Sequence, residues 1–528
     1  MSLSPTRRAA MLLAGALPAP ALAQARNRPL RFAPFADLSV LDPITTTTYV
    51  TRNHGFMVFD TLYGLDEEWG VQPQMAESQS VEDDGKRILI RLRDNLRFHD
   101  GEPVRAADCA ASIRRWAARD PLGQTLLARA AEISARDDRT IEIRLNRPFP
   151  LLFEALAKTS PPIAFMMPER LAKTDPARAI PEVIGSGPFR FLAGERVPGA
   201  RNAYARFDGY VPRPQGRPGG SAGPKVAHVE RVEWITIPDA STTANALQTG
   251  EIDWWEWPSF DLLPRLRARA DIRVWQPDSS GFLPFLRFNH LHPPFDNPAI
   301  RRAVLPAIVQ SDFVQAIVGQ DRELWSDGVG FFPPGTLMAS DEGMSALTGP
   351  RDPEASRRAL AAAGYRGEPV TLLGATDLLP VSALAQVAAQ TLRHAGMNVE
   401  LVMSDWAGVV ARRANRNPPA QGGWNAMLTY FSGLDLLHPA VHLLLRANGT
   451  AAWPGWPTLP QLETMREEWM EAPELAQRQA IARRIQAQAF IDLPYVPVGK
   501  FIQPTAHRRE WTGMVSGPTA FWNIRRES

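Results

Sequence analysis

The stretch Val81-Glu82-Asp83-Asp84-Gly85-Lys86-Arg87-Ile88-Leu89-Ile90-Arg91-Leu92-Arg93-Asp94-Asn95-Leu96-Arg97-Phe98-His99-Asp100-Gly101-Glu102-Pro103-Val104 runs directly into Ala106-Ala107-Asp108. Its first half is a turn followed by alternating apolar residues, the pattern of a hairpin strand with one buried face. Phe98-His99-Asp100-Gly101 then reads as a turn, where Gly permits positive φ and Asp can bond the backbone. The alanine-rich run from Ala106 to Ala118 is helical and carries Cys109 at a buried position, a small apolar filler. Asp137-Asp138 ahead of Thr140-Ile141-Glu142-Ile143-Arg144-Leu145 repeats the turn-and-strand pattern. Residues 66–183 therefore form a small α+β unit.

Downstream, Arg196 to Gly223 is dense in Gly, Pro and Arg and is predicted to be an extended surface loop. Val229 to Ile237 alternates as a strand, and Ala240 to Thr249 is a helix stopped by Gly250. From about Asn289, helices and strands alternate. Pro353–Ala363 is a helix stopped by Gly364, Val370–Leu373 a strand, Ser382–Ala395 a helix stopped by Gly396, and Val399–Met403 a strand. Such alternation argues for a sheet covered by helices. Glu474 to Phe490 is an amphipathic helix, and Tyr495–Val498 a strand returning towards the first part of the chain.

With 528 residues, the chain exceeds what one hydrophobic core usually serves, so several packed units are expected. Lys plus Arg total 58 against 56 Asp plus Glu, which gives no broad attraction to nucleic acid or anionic lipid. The single cysteine excludes an internal disulfide and a Cys-based metal cluster. Residues 1–23 read as a signal peptide: Arg7-Arg8, then Ala9-Ala10-Met11-Leu12-Leu13-Ala14-Gly15-Ala16-Leu17, then Ala21-Leu22-Ala23 as cleavage site. The paired arginine resembles a twin-arginine signal, and Sec export is the alternative. No stretch is apolar enough to span a bilayer, and no cysteine follows the cleavage site to carry a lipid.

The block Leu92 to Val104 with Ala106-Ala107-Asp108 resembles bacterial extracellular solute-binding proteins of family 5, the peptide, oligopeptide and nickel type that serves ABC importers. Further blocks follow in the family's order: Leu41-Asp42-Pro43, Ile184-Gly185-Ser186-Gly187-Pro188-Phe189, Ala246-Leu247-Gln248-Thr249-Gly250-Glu251-Ile252-Asp253, Phe288-Asn289, Pro293-Pro294-Phe295-Asp296-Asn297 with Ile300-Arg301-Arg302-Ala303, and Leu360-Ala361-Ala362-Ala363-Gly364-Tyr365. Ser186 stands where the family usually has Thr.

The resemblance implies an α/β, two-lobed periplasmic binding protein of class C, type II, with an extra α+β subdomain inserted in the first lobe. Lobe I would take residues 24–65, 184–285 and 499–528, the insert 66–183, and lobe II 286–498. It further implies an exported receptor, without catalysis or cofactor, that delivers a peptide or peptide-like solute to membrane permease subunits as a monomer. Neither nucleic acid nor a membrane span enters this reading.

A zwitterion withdrawn from water must be neutralised by the protein, since an unpaired buried charge costs several kcal/mol. By resemblance, Asp435, four residues before Pro439 and after the strand Met427-Leu428-Thr429-Tyr430, meets the ligand ammonium. Its neighbours Leu436-Leu437-His438 depart from the family's polar pattern. Trp406, Val410 and Arg413 reproduce the spacing of the family's pocket aromatic, apolar residue and cation, so Trp406 would stack on a side chain and Arg413 pair a carboxylate. The segment Thr47 to His54, with Tyr49, Thr51 and Asn53, matches the ligand-facing loop and could bond an extended peptide through its backbone. Tyr430 and the cluster Trp453-Pro454-Gly455-Trp456-Pro457 are aromatic candidates, among fifteen tryptophans in all.

His438 and His442 would share a face if helical, which keeps a metal chelate, as in nickel-binding relatives, among the ligand alternatives beside glutathione and an oligosaccharide. A secreted hydrolase is the competing class. Against it, His99-Asp100 lacks any nucleophile motif, and Gly185-Ser186-Gly187-Pro188 lacks the Lys-Ser/Thr ending of a phosphate loop.

Overall fold

Two seven-stranded sheets and one four-stranded sheet organise the computed structural model, which describes residues 28–527. The leader read at residues 1–23 lies outside the described residues.

The first sheet runs in the order Phe189–Phe191, Arg201–Arg206, Arg231–Ile235, Leu30–Ala33, Trp254–Trp255, Thr505–Arg508, Ile272–Trp275. Leu30–Ala33 is parallel to both neighbours, placing Phe32 opposite Trp234 on one side and Trp254 on the other. Those flanking strands are therefore parallel to each other and need a crossover, which the helix Ala240–Thr249 supplies. Asp239 caps it by accepting from Thr242 N, and Gly250 ends it at φ 79°. Phe32, Trp234, Trp254 and Phe521 pack ring against ring, with Phe32 4.9 Å from both Trp254 and Phe521.

One expectation is corrected here. Arg201–Arg206 lies inside the predicted loop Arg196 to Gly223, yet it is a strand hydrogen-bonded on both sides. Asn202, Ala203 and Tyr204 are buried. The Gly and Pro that suggested a loop are concentrated beyond Phe207, so composition averaged over the whole stretch concealed the strand.

The four-stranded antiparallel sheet has the order Ala76–Glu82, Arg87–Leu92, Thr140–Leu145, Ala130–Ala135. Ile88 and Ile90 with their partners Ile143 and Ile141, and Leu92 and Leu145 on the same strands, are buried, as period-two alternation requires. The helix Ala106–Ala117 packs there with Cys109 fully buried, and burial pushes its thiol well above the usual range. The turn that follows the strand is structural: Gly101 sits at φ 91°, and His99 Nε2 lies 3.0 Å from Gly187 O while His99 N donates to Gly185 O at 2.9 Å. Two of the blocks thus lock together. A Cβ on Gly185 would fall 2.1 Å from Val58 O, so only glycine fits.

The second seven-stranded sheet runs Trp325–Ser326, Lys500–Phe501, Phe282–Phe288, Ala426–Ser432, Pro369–Ala375, Asn398–Ser404, with Tyr495–Pro497 also paired to Phe282–Phe288. The helix Leu379–His394 is the crossover between the parallel strands Pro369–Ala375 and Asn398–Ser404. The chain passes between the two large sheets twice, from Ile272–Trp275 to Phe282–Phe288 and back from Lys500–Phe501 to Thr505–Arg508. Two connections join the large sheets, the construction of a hinged pair, and a small apolar cluster brings Leu263 and Val274 of the first side against Trp325 and Phe501 of the second. Among the described residues, no helix is long and apolar enough to cross a membrane.

Candidate functional site

The strand Ala426–Ser432 in the second sheet ends in a tight turn, Gly433–Asp435, that aims Asp435 across the gap between the two large sheets. Gly433 is needed there because a Cβ would meet Ser280 O at 2.6 Å. From the first sheet's side, the helix Tyr49–Val58 brings Tyr49 to meet it. Tyr49 Oη donates to Asp435 Oδ2 at 2.5 Å and accepts from Ser432 N at 3.0 Å. Asp435 Oδ1 is buried without a hydrogen-bond partner of good geometry. Burial raises the Asp435 carboxyl above its ordinary range, opposed by the Tyr49 and Ser160 hydroxyls and the positive charges of Arg52 and Lys158. The Tyr49 phenol is likewise raised, by burial and then by the Asp435 charge.

Arg52 was not singled out from sequence. It lies 3 residues after Tyr49 on the same helix, with its guanidinium 4.7 Å from the Tyr49 ring centre. Two of its nitrogens reach Asn53 Oδ1 at only 3.4 Å, and Nη1 is buried with no partner. The signal available was spacing, since residues three apart share a helix face. Lys158, also missed, pairs with Asp120 at 2.8 Å. It lines a cavity of about 240 Å³ together with Thr46, Thr47, Ser160 and Val441.

The other residues of the first segment have different tasks. Thr51 Oγ1 donates to Val40 O at 2.8 Å, and Asn53 Nδ2 to the buried Glu256 Oε1 at 2.6 Å. Both fix the helix to its sheet. The segment Thr47 to His54, whose backbone is expected to bond an extended ligand, is helical from Tyr49, so its N–H groups serve the helix from Arg52 onward while those of the first turn have no partner within it. Thr48, with φ −73° and ψ 136°, is extended just ahead of the helix.

The helix Trp406–Arg413, capped by Asp405, carries the second group of candidate residues. Arg413 lies 5.5 Å from the Trp406 ring and 5.1 Å from the Trp453 ring. Its guanidinium has no hydrogen bond or ion pair among the described residues, and burial lowers its pKa. Trp406, Trp453 and Tyr430 are half-buried and pack against one apolar cluster. Tyr430 also sits 5.4 Å from Phe282, which lies 6.2 Å from Tyr49, so an aromatic chain links the two parts. Burial pushes the Tyr430 hydroxyl up to about 12.

Trp456, an aromatic candidate, is instead core: it is 3% exposed and packs against Trp424 at 5.9 Å. Its neighbour Trp453 is half-buried beside Arg413. The metal candidates are also corrected. His438 and His442 are not on a helix; His438 stacks on Trp469, and His442 Nε2 lies 2.9 Å from Phe331 O and 3.0 Å from Tyr495 Oη. Burial pushes both imidazoles down to about 3. Among the described residues, no group of three or more His, Cys, Asp or Glu side chains is placed to hold a metal ion.

Residues 70–442 match the family model described as bacterial extracellular solute-binding proteins, family 5, middle. The chain belongs to this family. It is 36% identical over 527 residues to a probable peptide ABC transporter periplasmic-binding protein, y4tO, of Sinorhizobium fredii, covering 98% of each chain. It is 24% identical to the glutathione-binding protein GsiB of Escherichia coli K12, covering 90% of each. Among solved structures it resembles the periplasmic binding protein DppA from Helicobacter pylori in complex with the peptide STSA, with TM-score 0.78 and 21% identity over 96% of this chain and 100% of that one. This is the two-lobed α/β periplasmic binding fold, and the chain is a binding protein of the transport type, not an enzyme.

Proposed function

We propose that the chain is the exported, monomeric substrate receptor of an ABC importer, working in the periplasm and closing its two lobes on a peptide or peptide-like solute that it hands to the permease. One observation carries the ligand reading: a buried carboxylate with a free oxygen, Asp435, and a flanked guanidinium without an anion, Arg413, stand on the same lobe around the strand Ala426–Ser432. Opposite charges left without partners match the two ends of a zwitterion. The ligand ammonium bonds Asp435 Oδ1 while Tyr49 holds Oδ2; the carboxylate pairs with Arg413 between Trp406 and Trp453. The 36% identical relative named as a peptide transporter component supports the peptide class. Closure expels water and strengthens both contacts.

The test is calorimetric titration of the full-length mature chain with a free-amine dipeptide and its N-acetyl form. Asp435→Asn should weaken the free-amine peptide by about tenfold to a hundredfold, the range of a charge-assisted bond, and leave the acetylated one unchanged. Equal affinity of wild type and Asp435→Asn for the free-amine peptide refutes the assignment.

A further inference from the structure

The first passage between the two large sheets, residues 276–281, is bonded on alternate carbonyls to three separate parts of the chain. Pro277 O accepts from Gly517 N at 2.7 Å, Ser279 O from Lys500 Nζ at 3.0 Å, and Gly281 O from Gly433 N at 2.7 Å. Gly517 lies in the C-terminal segment and Lys500 at the start of the return passage. Gly433 opens the turn that ends in Asp435, two residues on. The passage between the lobes is thus tied directly to the turn that presents the carboxylate.

Asp278 shapes this passage from within. Its Oδ1 accepts from Ser280 N at 2.8 Å and from Ser280 Oγ at 2.6 Å. It forms no ion pair among the described residues. Ser280 is buried, and a Cβ at position 433 would fall 2.6 Å from its O, 2.7 Å from its Cβ and 2.8 Å from its Oγ. Backbone and side chain of Ser280 together are the surface on which the turn rests. Next to it, Gly281 sits at φ 62°, and a Cβ there would meet Phe501 O at 2.6 Å, so the passage is fixed on this side too. Burial raises the Asp278 carboxyl above its ordinary range, opposed by the Ser280 hydroxyl and amide and by the positive charges of Arg52 and Lys500. Arg52 acts on Asp435 in the same direction.

Hinges are a few residues at element ends that absorb a change of φ and ψ. Rotation within residues 276–281 moves Ser280 and Gly281 O, and with them Gly433 and the carboxylate beyond it. We propose that Asp278 is a positioning residue for ligand binding: by holding Ser280 it sets the interlobe passage against Gly433 and so aims Asp435, which couples the seating of the ligand to the bending of this passage. The proposal rests on the ammonium reading of Asp435 above. Asp278 itself touches no ligand.

The test is a double-mutant cycle, read by calorimetric titration of the full-length mature chain with Leu-Ala. Asp278→Ala should weaken binding about tenfold, the scale of a lost charge-assisted bond, in the protein that retains Asp435. In the Asp435→Asn background the same change should have no effect, because the group it positions is gone. Asp278→Asn keeps an oxygen to accept from Ser280 and should restore wild-type affinity to within about twofold. Should Asp278→Ala fail to fold, Ser280→Ala removes only the hydroxyl bond and should weaken binding about threefold, again only where Asp435 is present. Equal losses in both backgrounds, or wild-type affinity in Asp278→Ala, overturn the positioning role alone. Wild-type affinity in Asp435→Asn overturns the ammonium reading, and no binding of Leu-Ala by the wild-type protein overturns both.

Discussion

Two buried carboxylates in this molecule meet a partner across a junction, and they are finished to different degrees. Asp42 joins the first lobe to the inserted unit: its two oxygens accept from Arg115 at 2.7 and 3.2 Å, from Ile180 N at 2.9 Å and from Ile44 N at 3.2 Å. Arg115 adds bonds to Thr174 O and Arg178 O. Asp435 joins the first lobe to the second through one well-formed bond, from Tyr49, and its other oxygen has no partner of good geometry. A junction meant to stay closed uses all its polar capacity. A junction meant to open and admit a solute leaves part of it unused, since a half-satisfied buried charge is costly alone and gains most from a ligand.

The largest effect expected from this contrast is on stability. Arg115→Met leaves Asp42 buried without its cation and should destabilise the protein by about 3–5 kcal/mol, the usual cost of breaking a buried pair from one side. Asp435→Asn should change the unfolding midpoint far less, because it removes a charge that the fold itself satisfies poorly. Differential scanning calorimetry of both variants decides the matter. Equal losses would mean that the two junctions are alike and that Asp435 is structural.

Much of this was legible from sequence where the information is local. The turn at His99 to Gly101, the stop at Gly250 and the position of Asp435 relative to Pro439 depend on neighbouring residues only. The contact between Tyr49 and Asp435 spans 386 positions, so each could be named as a candidate while their direct bond could not. The bond matters because it joins residues of the two lobes directly. Nothing in the chain around Arg52 reveals that it will be buried. Trp456 and Trp453 are indistinguishable by type. Only tertiary packing sends the first beneath Trp424 and leaves the second beside Arg413. His438 and His442 failed as a metal pair because their spacing has meaning only on a helix, and the chain there is irregular.

An intermediate effect isolates the interlobe bond. Tyr49→Phe removes the hydroxyl that donates to Asp435 and accepts from Ser432 N, keeping the ring on Arg52. A hydrogen bond to a charged group contributes about 1.5–3 kcal/mol, which here favours the closed arrangement of the lobes. The ligand-free variant should therefore be more open than wild type, read as a larger radius of gyration by small-angle X-ray scattering, with an unchanged unfolding midpoint. An unchanged radius would show that Tyr49 does not hold the lobes together.

The smallest effect is a slope. Because burial raises the Asp435 carboxyl in the folded protein, the folded state keeps a proton at pH values where the unfolded chain, near 3.8, has released it. Between those two values the folded state binds more protons, so this group's contribution to stability declines as pH rises and is largest in acid. Asp435→Asn should accordingly steepen the loss of stability on acidification through that window, and leave the profile near neutrality parallel to wild type. The effect is modest because Tyr49, Arg52 and Lys158 pull the carboxyl back towards ionisation. Unfolding midpoints measured between pH 4 and 7 would show it, and a flatter acid limb in the variant would mean that Asp435 is ionised in the closed protein throughout that range. Ligand binding should show the complementary trend: an ammonium needs the carboxylate, so affinity for a free-amine dipeptide should fall as pH drops below the raised value, while the acetylated form shows no such dependence.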